Sequence, residues 1–313
     1  MHRYFVLLTL ILFFSCKAQA QEPSLYNNYL CNNFYNINPA AAGYDGAFIS
    51  QFTATKKWIG MSGSPMNQVL SNSLRLGEEE FYDPTMFINK PFINYAPRVG
   101  IGLTFFNESN GPLQHTGAML AYAYHLSIHD NRISFGLSGL VTQYHLNTRE
   151  FKPVNPIDAS LYTNTSAFIP DINFGAFFYN RKLFAGLSVI SLVNFNKIPG
   201  YIETFPSILL CAGNKFIVND RIKFEPSVFI WKFGKGSLLT DINGKLYFRD
   251  KNWIMLSYQG IGGVLTGFGL NLKPGLQIYY TYTTNTTGLS TINAGSHSIS
   301  LRVNIFAFMR KHN

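Results

Sequence analysis

Residues 241–249 read DINGKLYFR. Asp241, Asn243, Lys245, Tyr247 and Arg249 fall on one side of an extended chain, and Ile242, Gly244, Leu246 and Phe248 fall on the other. Successive side chains of a strand point to opposite faces, so this stretch has one wet face and one apolar face. The same pattern recurs upstream, where Ile133, Phe135, Leu137 and Val141 oppose Arg132, Ser134, Gly136, Ser138 and Thr142. It recurs near the end, where Leu301, Val303 and Ile305 oppose Ser300, Arg302 and Asn304.

Working outward from 241–249, the alternation predicts fourteen strands, at about 46–57, 67–76, 97–107, 115–128, 132–145, 170–179, 183–193, 206–217, 222–233, 238–249, 253–259, 262–272, 275–285 and 296–306. An even count is what a single-chain bacterial membrane barrel has. The connections alternate as well. Tight polar turns at 129–131, 180–182, 219–221, 250–252 and 273–274 interleave with longer links at 108–114, 146–169, 194–205 and 286–295. Short periplasmic turns and longer extracellular loops give this asymmetry. Two links break it: 77–96 is long where a turn is due, and 260–261 is short where a loop is due.

Composition points the same way. Hydrophobic residues make up 47% of the chain and charged residues 13%, about half the usual charged share. No internal segment approaches the roughly 18 apolar residues that a membrane helix needs. A wall in which every second residue meets lipid satisfies both facts. The expected fold is therefore all-β, an antiparallel transmembrane barrel of the outer membrane with about 14 strands. A soluble β-sandwich accounts for each strand taken singly, but it leaves the apolar faces in water.

The N-terminus carries an address. His2 and Arg3 precede a largely apolar run, Tyr4–Phe14, and Ala18-Gln19-Ala20 has the small-x-small form of a cleavage site. Residues 1–20 are expected to be a signal peptide cut after Ala20, with lipidation at Cys16 the other reading. Residues 21–45 then form an N-terminal periplasmic segment, 46–306 the barrel and 307–313 a C-terminal tail. At the end of the first strand, Lys56, Lys57 and Trp58 fit a headgroup boundary, and Trp253 is expected in the same aromatic girdle. The formal charge of +9 is spread singly over turns and strand ends, which does not make a nucleic-acid surface. Cys31 and Cys211 either pair or stay as thiols.

A series of short motifs marks the chain. Asn38-Pro39-Ala40-Ala41-Ala42-Gly43 is followed by Lys57-Trp58-Ile59-Gly60, by Gly63-Ser64-Pro65 and by Asn110-Gly111-Pro112. Later come Pro170-Asp171-Ile172-Asn173-Phe174-Gly175, Glu225-Pro226-Ser227 and Trp253-Ile254-Met255-Leu256. In order and spacing these resemble the PorP/SprF family of type IX secretion outer-membrane proteins of Bacteroidetes. The resemblance covers about residues 24–306. It implies a barrel that works with the type IX machinery and receives or holds secreted proteins through their C-terminal sorting domains, gliding adhesins among them.

The chemistry of an enzyme is not legible. The seven His show no metal-ligand spacing, and there is no Cys-x-x-Cys pair and no Gly-x-Ser-x-Gly elbow. Gly260-Ile261-Gly262-Gly263 has the composition of a phosphate loop, but it leads into a strand. The expectation is a non-enzyme with no cofactor and no metal. Its partners are type IX components, a secreted protein and outer-membrane lipid. A passive solute channel is the alternative, with Asp241, Asn243, Lys245, Arg249 and Arg302 facing a wet lumen.

Overall fold

The alternation of residues 241–249 is repeated around a closed wall. The computed structural model describes residues 34–76, 98–147, 165–192, 206–234, 236, 238–249, 252–260, 263–285 and 293–309. In chain order the strand segments are β1 (Ile49–Lys56), β2 (Met66–Leu76), β3 (Val99–Asn110), β4 (Leu113–Ile128), β5 (Asn131–Leu146), β6 (Thr165–Tyr179), β7 (Leu183–Ile190) and β8 (Ser207–Asn214). Then follow β9 (Phe216–Asn219), β10 (Ile222–Phe233), β11 (Leu238–Phe248), β12 (Asn252–Gln259), β13 (Gly263–Lys273), β14 (Leu276–Asn285) and β15 (Ser296–Asn304). A short α1 (Phe34–Ile37) and a 3-10 turn (Pro39–Ala41) precede them, and α2 (Ile305–Met309) follows.

All pairings are antiparallel; they join sequence neighbours except for β8 with β10 and for β1 with β15, and the latter closes the sheet. β8 and β9 both pair with β10, on either side of Lys215, so they are one crossing and the wall has fourteen. The interruption has a cause in the facing strand. Glu225 and Pro226 of β10 have no partner in β8 or β9, and a proline offers no N–H to a ladder.

The two faces separate cleanly. Phe52 lies opposite Leu70 on one side and Leu301 on the other, and all three are exposed. Ile242, Leu120 and Leu256 are each 60% exposed, and Phe168 is 65% exposed. The inner partners are polar: Thr53 Oγ1 and Ser300 Oγ share a 2.8 Å hydrogen bond, and Thr55 donates to Ser298 at 2.9 Å. A continuous apolar exterior of this extent is a liability in water and an asset in lipid. The soluble sandwich is therefore set aside.

Several expectations are corrected in detail. The link at 108–114 is a tight hairpin, because β3 runs to Asn110 and β4 starts at Leu113; Gly111 makes the turn with φ +56. The last strand ends at Asn304 and not at 306. The Asn304 side chain accepts from the Ala307 N–H at 3.2 Å, which starts α2. Trp253 does not join an outer girdle. It shares the inner face with Met255 and Ser257, opposite the exposed Ile254, Leu256 and Tyr258, and is 4% exposed.

β1 begins beside the end of β15, with Ile49 opposite Asn304. The hairpins at 129–130, 180–182, 220–221 and 274–275 share that end, as do the adjoining ends of β11 and β12. The connection 57–65, and the strand ends that flank 147–164, 191–206 and 286–295, lie at the opposite end. Most of the long-loop expectations, the 77–96 link, the leader and Cys31 lie outside the described residues. Residues 34–45, the described part of the expected N-terminal periplasmic segment 21–45, run inside the wall.

Candidate functional site: a plugged lumen

The luminal segment is built around Asn38-Pro39. Asn38 is extended (φ −144, ψ 102), and its Oδ1 accepts the Ala40 N–H at 3.1 Å, which caps the 3-10 turn. Pro39 stands at the first position of the turn, where its missing N–H costs nothing. Ala40, Ala41 and Ala42 carry only methyl groups, so the backbone itself can approach the wall.

The wall is shaped to receive it. Gly100 pairs with Ala123, Ala123 with Gly136, Gly136 with Gly175, and Gly175 with Ser188. This register sets a belt of five small residues across β3 to β7 at one level of the lumen. A Cβ added at Gly100 would stand 1.9 Å from the Ala42 carbonyl oxygen. At Gly136 it would stand 2.3 Å from the Ala40 nitrogen, and at Gly175 2.0 Å from Asn38 Oδ1. The chain lies where those side chains are missing.

Polar groups then satisfy the segment's backbone, as burial requires. Ser188 Oγ donates to the Ile37 carbonyl at 2.6 Å and Ser134 Oγ to the Ala40 carbonyl at 2.7 Å. Asn38 Nδ2 donates to the carbonyls of Ala176 and Leu187 at 3.1 and 3.3 Å. The His125 ring faces the Ala42 carbonyl at 2.8 Å. A carbonyl only accepts, so Nε2 carries the proton and Nδ1 accepts from the Tyr179 hydroxyl at 3.0 Å. Thr104 donates to Asn36 Oδ1 at 2.7 Å and accepts from the Tyr35 hydroxyl at 2.8 Å. Gly43 takes the left-handed conformation (φ +70), and its N–H reaches Ser73 Oγ at 2.9 Å.

Aromatic rings and one ion pair complete the seal. Phe34 packs against Phe177, Phe184 and Phe229 with centroids 5.3–5.8 Å apart. Tyr44 meets Tyr179 edge-on at 4.9 Å. Asp45 pairs with Arg302 at 2.9 Å. Residues 35–42 are almost wholly buried, and they form one cluster with Met119, Trp231, Trp253 and Tyr279 of the wall. The segment and wall residues from β4, β6 to β8, β10 and β12 to β14 thus share one buried core inside the barrel.

Asn38→Ala removes the cap and both donor bonds to the wall. The barrel should lose about 1–3 kcal/mol, measured as a shift in its urea unfolding midpoint in lipid vesicles. An unchanged midpoint would mean that the segment is not held by this side chain.

The other motif residues take structural places. Trp58 (φ +50) and Gly60 (φ +99) form the β1–β2 connection, where the Trp58 N–H reaches Ser296 Oγ at 3.3 Å and the Lys57 N–H reaches the Pro65 carbonyl at 2.8 Å. The Gly111 N–H donates to the Gly63 carbonyl at 3.0 Å, and the Pro112 carbonyl accepts from Asn147 at 2.8 Å. These bonds tie neighbouring connections together at the end away from the plug. Pro170 is exposed in β6 opposite Val141.

Of the residues expected in the lumen, Asp241, Asn243, Lys245 and Arg302 are buried. The Asp241 carboxylate accepts the Gly260 N–H at 2.8 Å. Lys245 Nζ stands 4.0 Å from the Trp253 ring centre, and Ser257 donates to Asn243. Arg249 differs. It lies in the turn after β11 with φ +51 and is exposed. The glycine belt was missed by sequence reasoning. Its signal is small residues on the polar face of successive strands, meaningful only once register is known.

A family described as type IX secretion system membrane protein PorP/SprF matches residues 18–303. The chain belongs to this family. Within the PorP/SprF match, the Asn-Pro-Ala-Ala-Ala-Gly stretch is the luminal plug just described. No curated protein matches the chain. Among solved structures, Omp33 of Acinetobacter baumannii is 8% identical with a TM-score of 0.48, over 82% of this chain and 95% of that one. A mutant form of Rh. blastica porin is 9% identical with a TM-score of 0.33, over 82% and 98%.

Proposed function

We propose that this PorP/SprF barrel is a non-enzymatic docking protein of the outer membrane. It receives or anchors a secreted protein by that protein's C-terminal sorting domain, through connections at the end away from the plug. The observation that carries the reading is the plugged lumen. A barrel whose own chain fills its bore offers surfaces, not a conduit, and the passive-channel alternative loses its main support. The strand ends that flank the links 147–164, 191–206 and 286–295 share one end, and links of that length exceed what hairpin closure needs. Family membership supplies the export machinery as the setting.

A deletion strain tests the reading. At least one protein with a C-terminal sorting domain, a large surface adhesin being the first to examine, should fall several-fold at the cell surface and recover when the gene is restored. Normal surface levels of every such protein would sink the proposal.

A further inference from the structure

The end of the barrel where β1 begins and β15 ends has a cavity of about 450 Å³, with Arg221, Ile222, Phe248, Arg249 and Asn252 in its lining. Its lining is sorted by chemistry. Ile222, Phe248 and Asn252 lie side by side across β10, β11 and β12, since Ile222 pairs with Phe248 and Phe248 with Asn252. Their inner-face neighbours, Lys223 and Trp253, are buried, so this trio faces outward, on the lipid side of the wall. The two arginines come from the adjoining turns, just past the ends of the strands.

Those turns are held together. The Arg249 N–H donates to the Arg221 carbonyl at 2.7 Å, with Arg249 in the left-handed region at φ +51. Two guanidinium-bearing residues are thus fixed as neighbours, although like charges repel. Neither forms an ion pair among the described residues. Asn252 adds to the same polarity, because its Oδ1 is taken by the Asn271 N–H at 3.0 Å and its NH₂ remains to donate. Asp220 of the same turn does not line the cavity. Among the described residues, the polar side-chain groups of the lining left to bind a ligand are donors, and most of them are cationic. The same end carries Arg181, Lys182 and Lys273 beside Asp130 and Asp220, and the excess of cations raises the local anion concentration.

An outward cleft with an apolar floor and a cationic lip at the membrane boundary fits one ligand chemistry. We propose that it binds the phosphodiester headgroup of a membrane glycerophospholipid. The phosphate lies between Arg221 and Arg249, whose planar donors suit it, and an acyl chain lies along Ile222 and Phe248. Short turns mark the periplasmic end of such barrels, so the lipid belongs to the inner leaflet. The inference rests on the barrel's seat in the outer membrane and not on the cargo proposal.

Native mass spectrometry of the purified full-length protein, titrated with phosphatidylglycerol in mild detergent, tests this. The Arg221→Gln/Arg249→Gln variant should lose bound lipid by roughly tenfold or more. An Arg181→Gln/Lys182→Gln variant removes the same charge from a neighbouring turn and should stay within about twofold of the parent. Heat-modifiable gel mobility checks that both variants are folded. Equal losses in both variants, or no loss in the first, would overturn the site. Inorganic phosphate that displaces the lipid completely would overturn the lipid assignment and leave a free-phosphate site.

Discussion

Gly136→Val is expected to turn a sealed barrel into a conducting one. A Cβ at this position stands 2.3 Å from the Ala40 nitrogen and 2.4 Å from the Pro39 carbonyl carbon. Both are backbone atoms of a segment that is buried and bonded on several sides, so neither can yield by a rotamer change. Overpacking alone costs about 1–3 kcal/mol where the neighbours can shift, and here the relief open to the chain is to leave the belt. Departure also forfeits the bonds from Ser134, Ser188 and His125. In planar bilayers the parent should show no stable openings, and Gly136→Val should show them. Gly139→Val is the matched control. It lies three residues along the same strand, is exposed, and a Cβ there meets nothing within 4 Å. Openings in all three proteins would mean that the segment never closed the pore.

The second large effect concerns Asp45 and Arg302. Their side chains are 19% and 8% exposed and 2.9 Å apart. The pair joins the segment to the last strand of the wall just before β1 begins. Arg302→Met leaves the Asp45 carboxylate in the lumen without its cation, and removing one partner of a buried pair costs about 3–5 kcal/mol. The double variant with Asp45→Asn should regain most of that loss, because the neutral pair no longer buries a lone charge. Urea unfolding in lipid vesicles measures all three proteins. Equal destabilisation by Arg302→Met and by the double variant would show that Arg302 contributes through packing and not through the pair.

The strands were legible because a membrane wall makes each residue declare its side. Ile242 and Leu246 against Asn243 and Lys245 is the period of a strand with one wet face, and it recurs in β1, β3, β5, β12 and β15. The plug was not legible for the converse reason. Residues 34–46 have no period of their own, and they read as a turn-rich approach to β1. Their destination is encoded in a relation between distant strands: Gly100, Ala123, Gly136, Gly175 and Ser188 become one belt only when β3 to β7 are in register. Trp253 was misplaced because an aromatic residue near a strand end fits a headgroup girdle and a luminal cluster equally. Its parity with Met255 and Ser257 was the better guide. Arg249 has the parity of Lys245, yet the strand ends one residue before it, and a turn residue owes nothing to strand parity. Alternation reports which way a side chain faces, not what occupies the space it faces.

Photocrosslinking from position 35 in living cells tests the plug most directly. The Tyr35 ring lies where a Cβ on Gly102 would be, with ring carbons 2.6–3.2 Å from that point. With p-benzoylphenylalanine in place of Tyr35, mass spectrometry should find the crosslink inside the same chain, on β3 around Gly102–Thr104. A crosslink to a different polypeptide, or to solvent-exposed periplasmic material, would place the segment outside the wall and contradict the account.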